Sequence, residues 1–264
     1  MTKRITLIML FALFISSCKS NTKEEASKET TETTTESEWI HLFDGTSTEG
    51  WRAYNGTELP PQWVIKDGIL TFDKEKKNKE LEHEGGKDII YAAEEFDNFE
   101  LYLEWKIPPG GNSGIFYHVK EGYGGPPEVA PEYQLIDDEN YTKFHDITDY
   151  NIGLGYTENP NEIKPLQSTA CDYAMTAPDP EQKVLNPAGE WNSAKIVFTP
   201  ELVEHWLNGK MVLSFVPWDD EWNAKRNSGK WGLAKDYGKF KTGYIGLQDH
   251  DSPLWFRNIK IKKL

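Results

Sequence analysis

From residue 39 onward, hydrophobic and polar residues alternate in short runs that glycine, proline and asparagine interrupt. The clearest run is 99–107, where Phe99, Leu101 and Leu103 alternate with charged residues and tyrosine before Pro108 ends the run. Alternation with a period of two is typical of β-strands that bury one face. The pattern therefore predicts an almost wholly β protein.

Short strands of this kind recur along the whole folded part, and several are joined by tight turns such as Asn208-Gly209. The sequence predicts strands at 62–65, 69–72, 99–107, 113–119, 191–198, 202–207, 211–216, 243–250 and 255–261. Many short strands with long crossing loops favour an all-β fold of two antiparallel sheets packed as a jelly-roll sandwich.

The predicted strands leave one helical segment and two long loops. Only residues 219–227 have a helical pattern, so we expect one short helix inside a loop. Residues 123–131 and 140–169 are interpreted as loops, and loops of such length within a compact domain are usually functional.

Two of the strands carry amide and ionisable side chains on one face. Gln248 and His250 are two residues apart in one strand, and Glu132 and Gln134 are two apart in a segment at 131–135. Residues two apart in a strand share a face, so each pair faces away from its apolar neighbours. A sheet face with carboxylate, amide and imidazole groups indicates a site for a polyhydroxylated ligand.

The N-terminus is typical of an export signal. A basic start at Lys3 and Arg4 precedes an apolar stretch at 5–15, which is shorter than the about 20 residues of a membrane-spanning helix. The stretch ends in Ile-Ser-Ser-Cys, which resembles a bacterial lipobox with Cys18 as the lipidated residue. We therefore expect a signal peptide at 1–17 and a lipid anchor at Cys18. Because residue 19 is lysine and not the aspartate of an inner-membrane retention signal, the expected destination is the outer membrane.

Residues 18–38 are rich in threonine, glutamate, serine and lysine and have too few apolar residues to form a core, which predicts a disordered tether. A single folded domain is expected at 39–264. The formal net charge of −14 argues against a nucleic-acid partner, because phosphate backbones repel such a chain. Aromatic residues make up 13% of the chain, and although most will fill a core, some favour stacking on sugar rings.

Eight short stretches along the folded part resemble the 3-keto-disaccharide hydrolase family. They are LFDG at 42–45, GW at 50–51, GNSGIFY at 111–117, PEYQLID at 131–137, GEWN at 189–192, HWLNGK at 205–210, GLQDH at 246–250 and FRNIK at 256–260. The resemblance implies a concanavalin A-like jelly roll and cleavage of glycosides whose C3 hydroxyl has been oxidised to a ketone. It also implies an upstream sugar C3-oxidoreductase, because this chain has no dinucleotide fingerprint.

The implied chemistry is a 1,2-elimination followed by hydration of the resulting glucal, which together amount to glycoside hydrolysis. It needs a base near C2, a positive or hydrogen-bonding group at the C3 oxygen and an acid at the leaving oxygen. His250 is the first candidate for base or acid, since imidazole titrates near neutral pH, and Glu132 is the second. Either residue has a structural alternative, as a turn histidine beside Asp249 and as a salt-bridged strand carboxylate.

Other residues are candidates for binding the substrate. Gln134 and Gln248 have amides suited to sugar hydroxyls, and Arg226 and Lys230 are expected to hold the ligand from a loop, unless they are ordinary surface residues. Trp218 is a candidate stacking platform, with Trp222 nearby. Asp172 is a weaker candidate for the same face, and Cys171 is expected to be a small buried residue.

His118 follows the segment 112–114, where many members of the family that this chain resembles have arginine. This difference puts an arginine-type role in stabilising the C3 oxyanion in doubt for this chain. His118, His250 and Glu132 together are candidates to hold a divalent metal, but their spacing is not diagnostic and the cofactor is left open.

Two other functions remain open. A retaining glucanase needs two carboxylates about 5–5.5 Å apart, and here Glu104 is the candidate partner for Glu132, since Gln134 stands where such enzymes have aspartate. A non-catalytic carbohydrate-binding lipoprotein is the other alternative, because lectins share the fold.

Overall fold

The computed structural model describes residues 38–76 and 88–264. The signal peptide, Cys18 and nearly all of the tether lie outside the described residues. Thirteen strands are present in this part: β1 Ile40–Phe43, β2 Trp51–Ala53, β3 Trp63–Lys66, β4 Ile69–Phe72, β5 Ile89–Phe96, β6 Phe99–Lys106, β7 Asn112–Val119, β8 Glu132–Ile136, β9 Asn192–Phe198, β10 Val203–Leu207, β11 Lys210–Phe215, β12 Gly243–Leu247 and β13 Leu254–Lys263.

The strands form two antiparallel sheets. The larger has eight strands in the order β11-β10-β9-β6-β13-β4-β3, with β1 also paired to β13, and the smaller has five in the order β2-β5-β12-β7-β8. The expected all-β, concanavalin-like sandwich is thus confirmed. The predicted hairpins at 62–72 and 191–207 are present with antiparallel registers, Ile65 opposite Leu70 and His205 opposite Ile196.

Alternation along the strands creates the core between the sheets. Leu101 and Leu103 of β6 are almost completely buried, and they share one hydrophobic cluster with Tyr133 and Leu135 of β8 and Leu247 of β12. Because neighbours in a strand point to opposite faces, the residues between the β8 core positions face outward from the smaller sheet. Glu132 and Gln134 are therefore on that outer face, as the sequence predicted.

The last two strands differ from expectation. β12 ends at Leu247 and belongs to the smaller sheet, whereas β13 belongs to the larger one, so they are not a hairpin. Gln248 and His250 consequently follow β12 instead of lying on it. The prediction of a longer strand was wrong because the pairing with β7 stops after Gln248: the next N–H, that of Asp249, donates to the Asp88 side-chain carboxyl at 2.9 Å, and Asp251 then adopts a positive φ of 58°.

The structure contains three short α-helices within the described residues, where the sequence indicated one. The predicted helix is α3, Asp220–Arg226, which Asp219 caps by accepting a hydrogen bond from the Trp222 N–H. The other two, α1 Tyr141–Phe144 and α2 Thr148–Gly153, lie inside the segment interpreted as a loop. None of the helices in the described residues has the length and apolar character needed to cross a membrane.

Candidate active site

A cavity of about 470 Å³ opens on the outer face of the smaller sheet, where β7, β8 and the end of β12 lie side by side. Its floor comes from these strands, and its walls come from the long loops at 123–131 and 140–169 and from the segment after α3. Its lining residues are Asn112, Pro127, Glu132, Gln134, Ile136, Tyr141, Ile147, Tyr150, Ile163, Gln167, Tyr173, Lys230, Gln248 and His250.

Glu132 lies in the floor and is 4% exposed. Its Oε1 atom is buried without a hydrogen-bond partner among the described residues. Burial raises the pKa of the Glu132 carboxyl to about 8, an effect that the positive charge of Lys230 partly offsets. The raised pKa favours the protonated, neutral form of the Glu132 carboxyl near pH 7.

The floor beside Glu132 is kept open by a glycine. Gly114 of β7 pairs with Gln134 of β8, and a Cβ atom added at Gly114 would lie 2.1 Å from Glu132 Oε1. Any side chain at position 114 would thus displace the carboxyl. The Gln134 amide, next on the same face, is fixed because its Oε1 accepts a 2.9 Å hydrogen bond from the Leu135 N–H.

Gln248 and His250 enter the cavity from the loop after β12. The Gln248 backbone continues the pairing with β7, since its N–H donates to Gly114 O at 2.9 Å and its carbonyl accepts from the Ser113 hydroxyl at 2.8 Å. His250 is at the exposed rim. Partial removal of water by the surrounding protein lowers the pKa of its imidazole, although a backbone hydrogen bond and the nearby Asp251 carboxylate act in the opposite direction. His250 is thus largely neutral at pH 7.

Lys230 supplies a cation to this cavity. Its Nζ lies 4.1 Å from the centre of the Tyr173 ring and 5.7 Å from that of Tyr150. The two tyrosine hydroxyls hydrogen-bond each other at 2.8 Å, which fixes both rings beneath the ammonium group. The ammonium is thereby held close enough to Glu132 to influence its ionisation.

Asn112 adds a second acceptor that lacks a partner. Its side chain is 7% exposed, and its Oδ1 has no hydrogen-bond partner among the described residues. A buried acceptor left unpaired is costly, and a ligand hydroxyl would satisfy it. Asn112 was not predicted from the sequence, although it belongs to the matching stretch at 111–117.

The structure does not bring four of the predicted residues to the cavity. Glu104 lies on the larger sheet, where it accepts hydrogen bonds from Arg257 at 2.6 Å and Asn258 at 2.8 Å. Trp218 donates to Gly238 O at 2.7 Å, and Arg226 donates to backbone carbonyls of 234–237. Both side chains therefore hold the segment around α3 together.

His118 is the fourth residue outside the cavity. A positive φ of 55° at His118, opposite an irregularity in the β12 pairing, turns its ring to the inner side of the sheet. There it packs 4.3 Å from the Phe198 ring and hydrogen-bonds Asp97 O at 2.8 Å, and burial lowers its pKa to about 4. The bulge reverses the alternation along β7, so His118 does not reach the outer face that carries the cavity.

This displacement also separates the three candidate metal ligands, since only Glu132 and His250 line the cavity. Within the described residues no group of three or more histidine, cysteine, aspartate or glutamate side chains is arranged to hold a metal ion. The donor set around Glu132 consists instead of amides and an ammonium group, which fit an oxygen-rich organic ligand better than a cation.

Asp172 and Cys171 are both completely buried. Both Asp172 carboxyl oxygens lack hydrogen-bond partners among the described residues, and burial raises the pKa of this group well above its usual value. Cys171 is a buried free thiol, as expected, and Trp222 is buried in the same hydrophobic cluster. None of the three lines the cavity.

Fold and site together define a concanavalin-like sandwich protein with a polar, partly aromatic cavity on the outer face of its smaller sheet. Such a cavity is suited to a carbohydrate. Comparison with known sequences agrees: residues 38–262 match the model of the 3-keto-alpha-glucoside-1,2-lyase-like domain, and the chain belongs to this family.

Similar proteins come from Bacteroides thetaiotaomicron and Parabacteroides distasonis. A 3-keto-disaccharide hydrolase from Bacteroides thetaiotaomicron is 34% identical over 246 residues, which cover 86% of this chain and 78% of the relative. A crystal structure of a protein from Parabacteroides distasonis, provisionally described as a glycosyl hydrolase, is 38% identical, with a TM-score of 0.72 and coverage of 86% and 94%. A second from that organism is 26% identical, with a TM-score of 0.59 and coverage of 86% and 100%.

Proposed function

We propose that this protein cleaves 3-keto-glycosides by removing the C2 proton and eliminating the C1 aglycone, and then hydrates the product. The observation that carries the proposal is the meeting of Glu132, His250 and Lys230 at one cavity in a member of this family. The raised pKa of Glu132 suits an acid and the lowered pKa of His250 suits a base, and Lys230 adds a cationic side chain beside them.

The first step takes a proton from carbon. A C3 ketone acidifies the C2 hydrogen, and the neutral imidazole of His250 accepts that proton while the bonding electrons move into an enolate. The lowered pKa of His250 keeps the ring unprotonated and able to act as a base at pH 7.

The negative charge that develops on the C3 oxygen needs a positive partner. Lys230 supplies it from the wall, and the amides of Gln134 and Gln248 add hydrogen-bond donors from the floor. Because the Lys230 ammonium is held over the Tyr173 ring, it requires little rearrangement as the enolate forms.

Glu132 then acts as the acid. The enolate electrons form the C1–C2 double bond, the C1–O bond breaks, and the leaving oxygen takes the Glu132 proton. Addition of water in the reverse sense places hydroxyl on C1 and hydrogen on C2, so that the sum is hydrolysis. The ketone must be made beforehand by a sugar C3-oxidoreductase.

Deuterium incorporation tests this mechanism. The protein is incubated in heavy water with methyl 3-keto-glucoside of each anomeric form, and the sugar is followed by NMR. Methanol release with deuterium at C2 is the expected result. Release without C2 deuterium would indicate direct displacement at C1, and line broadening without release would favour a carbohydrate-binding protein.

Two variants assign the roles, each with a matched control. Glu132→Gln and His250→Asn are expected to lower kcat by about 100-fold or more while substrate binding is largely retained. Glu100→Gln and His41→Asn change the same residue types on the larger sheet, away from the cavity, and should leave kcat unchanged.

A further inference from the structure

The loop that brings Gln248 and His250 into the cavity leaves the sheet directly after Gln248. The Gln248 backbone is bonded to β7 through both its N–H and its carbonyl. Within the described part of the chain, no backbone hydrogen bond continues this strand pairing at residues 249–251. The position of His250 therefore depends on the contacts that its neighbours in the loop make.

Asp88 makes the contact nearest to His250. Its carboxyl oxygen Oδ1 accepts a 2.9 Å hydrogen bond from the N–H of Asp249, the residue that directly precedes His250. On the other side of His250, the Ser252 hydroxyl lies 3.3 Å from the backbone nitrogen and 3.3 Å from the carbonyl oxygen of Asn112. Asp88 thus supplies the shorter and nearer of the two side-chain attachments that flank His250.

The backbone of Asp88 is itself firmly placed. Asp88 directly precedes β5, whose first residue, Ile89, pairs with Leu247 at the end of β12. Its carbonyl accepts a 2.8 Å hydrogen bond from the N–H of Tyr54, which follows β2. A side chain on a backbone that is fixed from two neighbouring strands can hold a loop in one position, as a supporting group of an active site must.

We propose that Asp88 is a positioning residue of the active site, which holds His250 at the substrate through the N–H of Asp249. The inference rests on the proposed function and adds a residue that does not itself line the cavity. Without this hydrogen bond the loop would shift, and displacement of a catalytic group by about 1 Å lowers turnover by roughly 100-fold.

The charge of Asp88 has a second effect, which an amide accepting the same hydrogen bond would lack. Burial and the negative charge of Asp249 raise the pKa of Asp88 to about 7, although the bond from the Asp249 N–H opposes this shift. Above that pH, the Asp88 carboxylate disfavours a second negative charge on Glu132 and so raises the pKa of Glu132, while Lys230 acts in the opposite direction. Asp88 thus helps Glu132 to retain its proton as the pH approaches 8.

Two variants of Asp88 separate position from charge. Asp88→Asn keeps an oxygen that accepts from the Asp249 N–H but has no charge, and Asp88→Ala has neither. With methyl 3-keto-glucoside at pH 6, where Asp88 is mostly uncharged in the wild type, Asp88→Ala is expected to lower kcat by about tenfold to 100-fold with KM changed only a few fold. Asp88→Asn should stay within about threefold of wild type.

The matched control is Asp179→Ala. The Asp179 carboxyl also accepts a 2.9 Å hydrogen bond from a backbone N–H, that of Glu181, but on an exposed segment away from the cavity. Its removal should leave kcat unchanged. Wild-type kcat in Asp88→Ala would overturn the inference, as would an equal loss in Asp88→Asn, because the missing hydrogen bond would then not be the cause.

The pH profile of kcat/KM measures the effect of the charge. Both Asp88 variants lack the negative charge that acts on Glu132, so the alkaline limb should move to lower pH in both. A loss of stability alone would not move this limb. An alkaline limb that stays in place in both variants would overturn the electrostatic effect of Asp88.

Measurements without turnover keep this inference separate from the proposed function. Hydrogen exchange of the Asp249 amide, followed by NMR, should be about tenfold or more faster in Asp88→Ala than in wild type or Asp88→Asn. The pKa of the His250 imidazole should rise toward its ordinary value only in Asp88→Ala, because a released loop is less shielded from water. If the wild type fails to cleave the 3-keto-glucoside, the proposed function fails, whereas unchanged NMR signals in Asp88→Ala would overturn the positioning role.

Discussion

The carboxyl group of Glu132 occupies the space that a side chain on Gly114 would fill. A Cβ atom at position 114 would come within 2.1 Å of Glu132 Oε1, and within 2.9 Å of the Glu132 Cγ. Gly114 and Glu132 lie on neighbouring strands, and the Glu132 carboxyl can take its position only because residue 114 has no side chain. Glycine in a strand costs stability, and here the open space that it leaves positions a functional group.

Gly114→Ala should therefore impair activity more than folding. The methyl group would move the Glu132 carboxyl by an ångström or more, and a displacement of that size lowers kcat by roughly 100-fold. Steady-state kinetics and a thermal melt of the same preparation measure the two effects. Gly153→Ala is the control, because nothing lies within 4 Å of a Cβ at that position. Retention of full activity in Gly114→Ala would show that the Glu132 position is not critical.

The pH dependence of kcat/KM should be bell-shaped. Activity is lost as the pH falls through the lowered pKa of His250, because the base becomes protonated. It is lost again as the pH rises through about 8, because Glu132 gives up its proton. His250→Asn should remove the acidic limb from the residual activity, and Glu132→Gln should remove the alkaline limb. Interchanged limbs would reverse the two roles.

The raised pKa of Glu132 also predicts that this residue destabilises the fold at neutral pH. Between its usual 4.5 and about 8, the unfolded chain has lost the proton while the folded chain retains it. The unfolded state therefore binds fewer protons, and the free energy of unfolding falls as the pH rises through this range. The full difference is on the order of 5 kcal/mol.

Chemical denaturation at several pH values measures this effect. Glu132→Gln has no such ionisation, so its stability relative to wild type should increase steadily from pH 5 to pH 8. Glu221→Gln, an exposed helix position, should change little with pH. A Glu132→Gln protein whose relative stability is independent of pH would mean that the carboxyl ionises normally in the folded state.

Alternation along the chain was sufficient to predict most of the architecture. The clean period of two in β6 predicted its inner face, and the same rule correctly placed Glu132 and Gln134 together on the outer face of β8. Gln248 and His250 line the cavity as well, but by a different route, since they follow the strand. The spacing of two residues predicted that the members of each pair lie together, because the backbone is regular or nearly regular at these positions.

The remaining errors have local physical causes. His118 was misplaced because one residue with positive φ reverses the side-chain direction, and no residue type in the sequence marks that bulge. The wall residues Ile147 and Ile163 were missed because segment 140–169 has no regular period. Arg226 donates to backbone carbonyls, and Glu104 accepts from a guanidinium and an amide group. These partners come together only in the folded chain, so the sequence alone did not indicate that both side chains are engaged away from the cavity.

Lys230→Met should reduce turnover more than binding. The substitution keeps the side-chain length over the Tyr173 ring but removes the charge that stabilises the enolate, and loss of one such group lowers kcat by about 100- to 1,000-fold. KM should change by only a few fold. Lys239→Met, on the exposed segment after α3, is the control. An effect confined to KM would restrict Lys230 to holding the ground-state substrate.

His118→Ala should have the opposite profile, with lower stability and intact catalysis. The ring fills core space against Phe198 and Phe99, so its removal should cost about 3 kcal/mol of unfolding free energy. Since His118 is buried and its pKa is about 4, it carries no charge between pH 5 and 8, and the pH profile of kcat/KM should keep its shape. Denaturant unfolding and kinetics well below the melting temperature separate the two effects. A large fall in kcat with unchanged stability would instead require His118 to reach the substrate, which its position on the inner side of the bulge opposes.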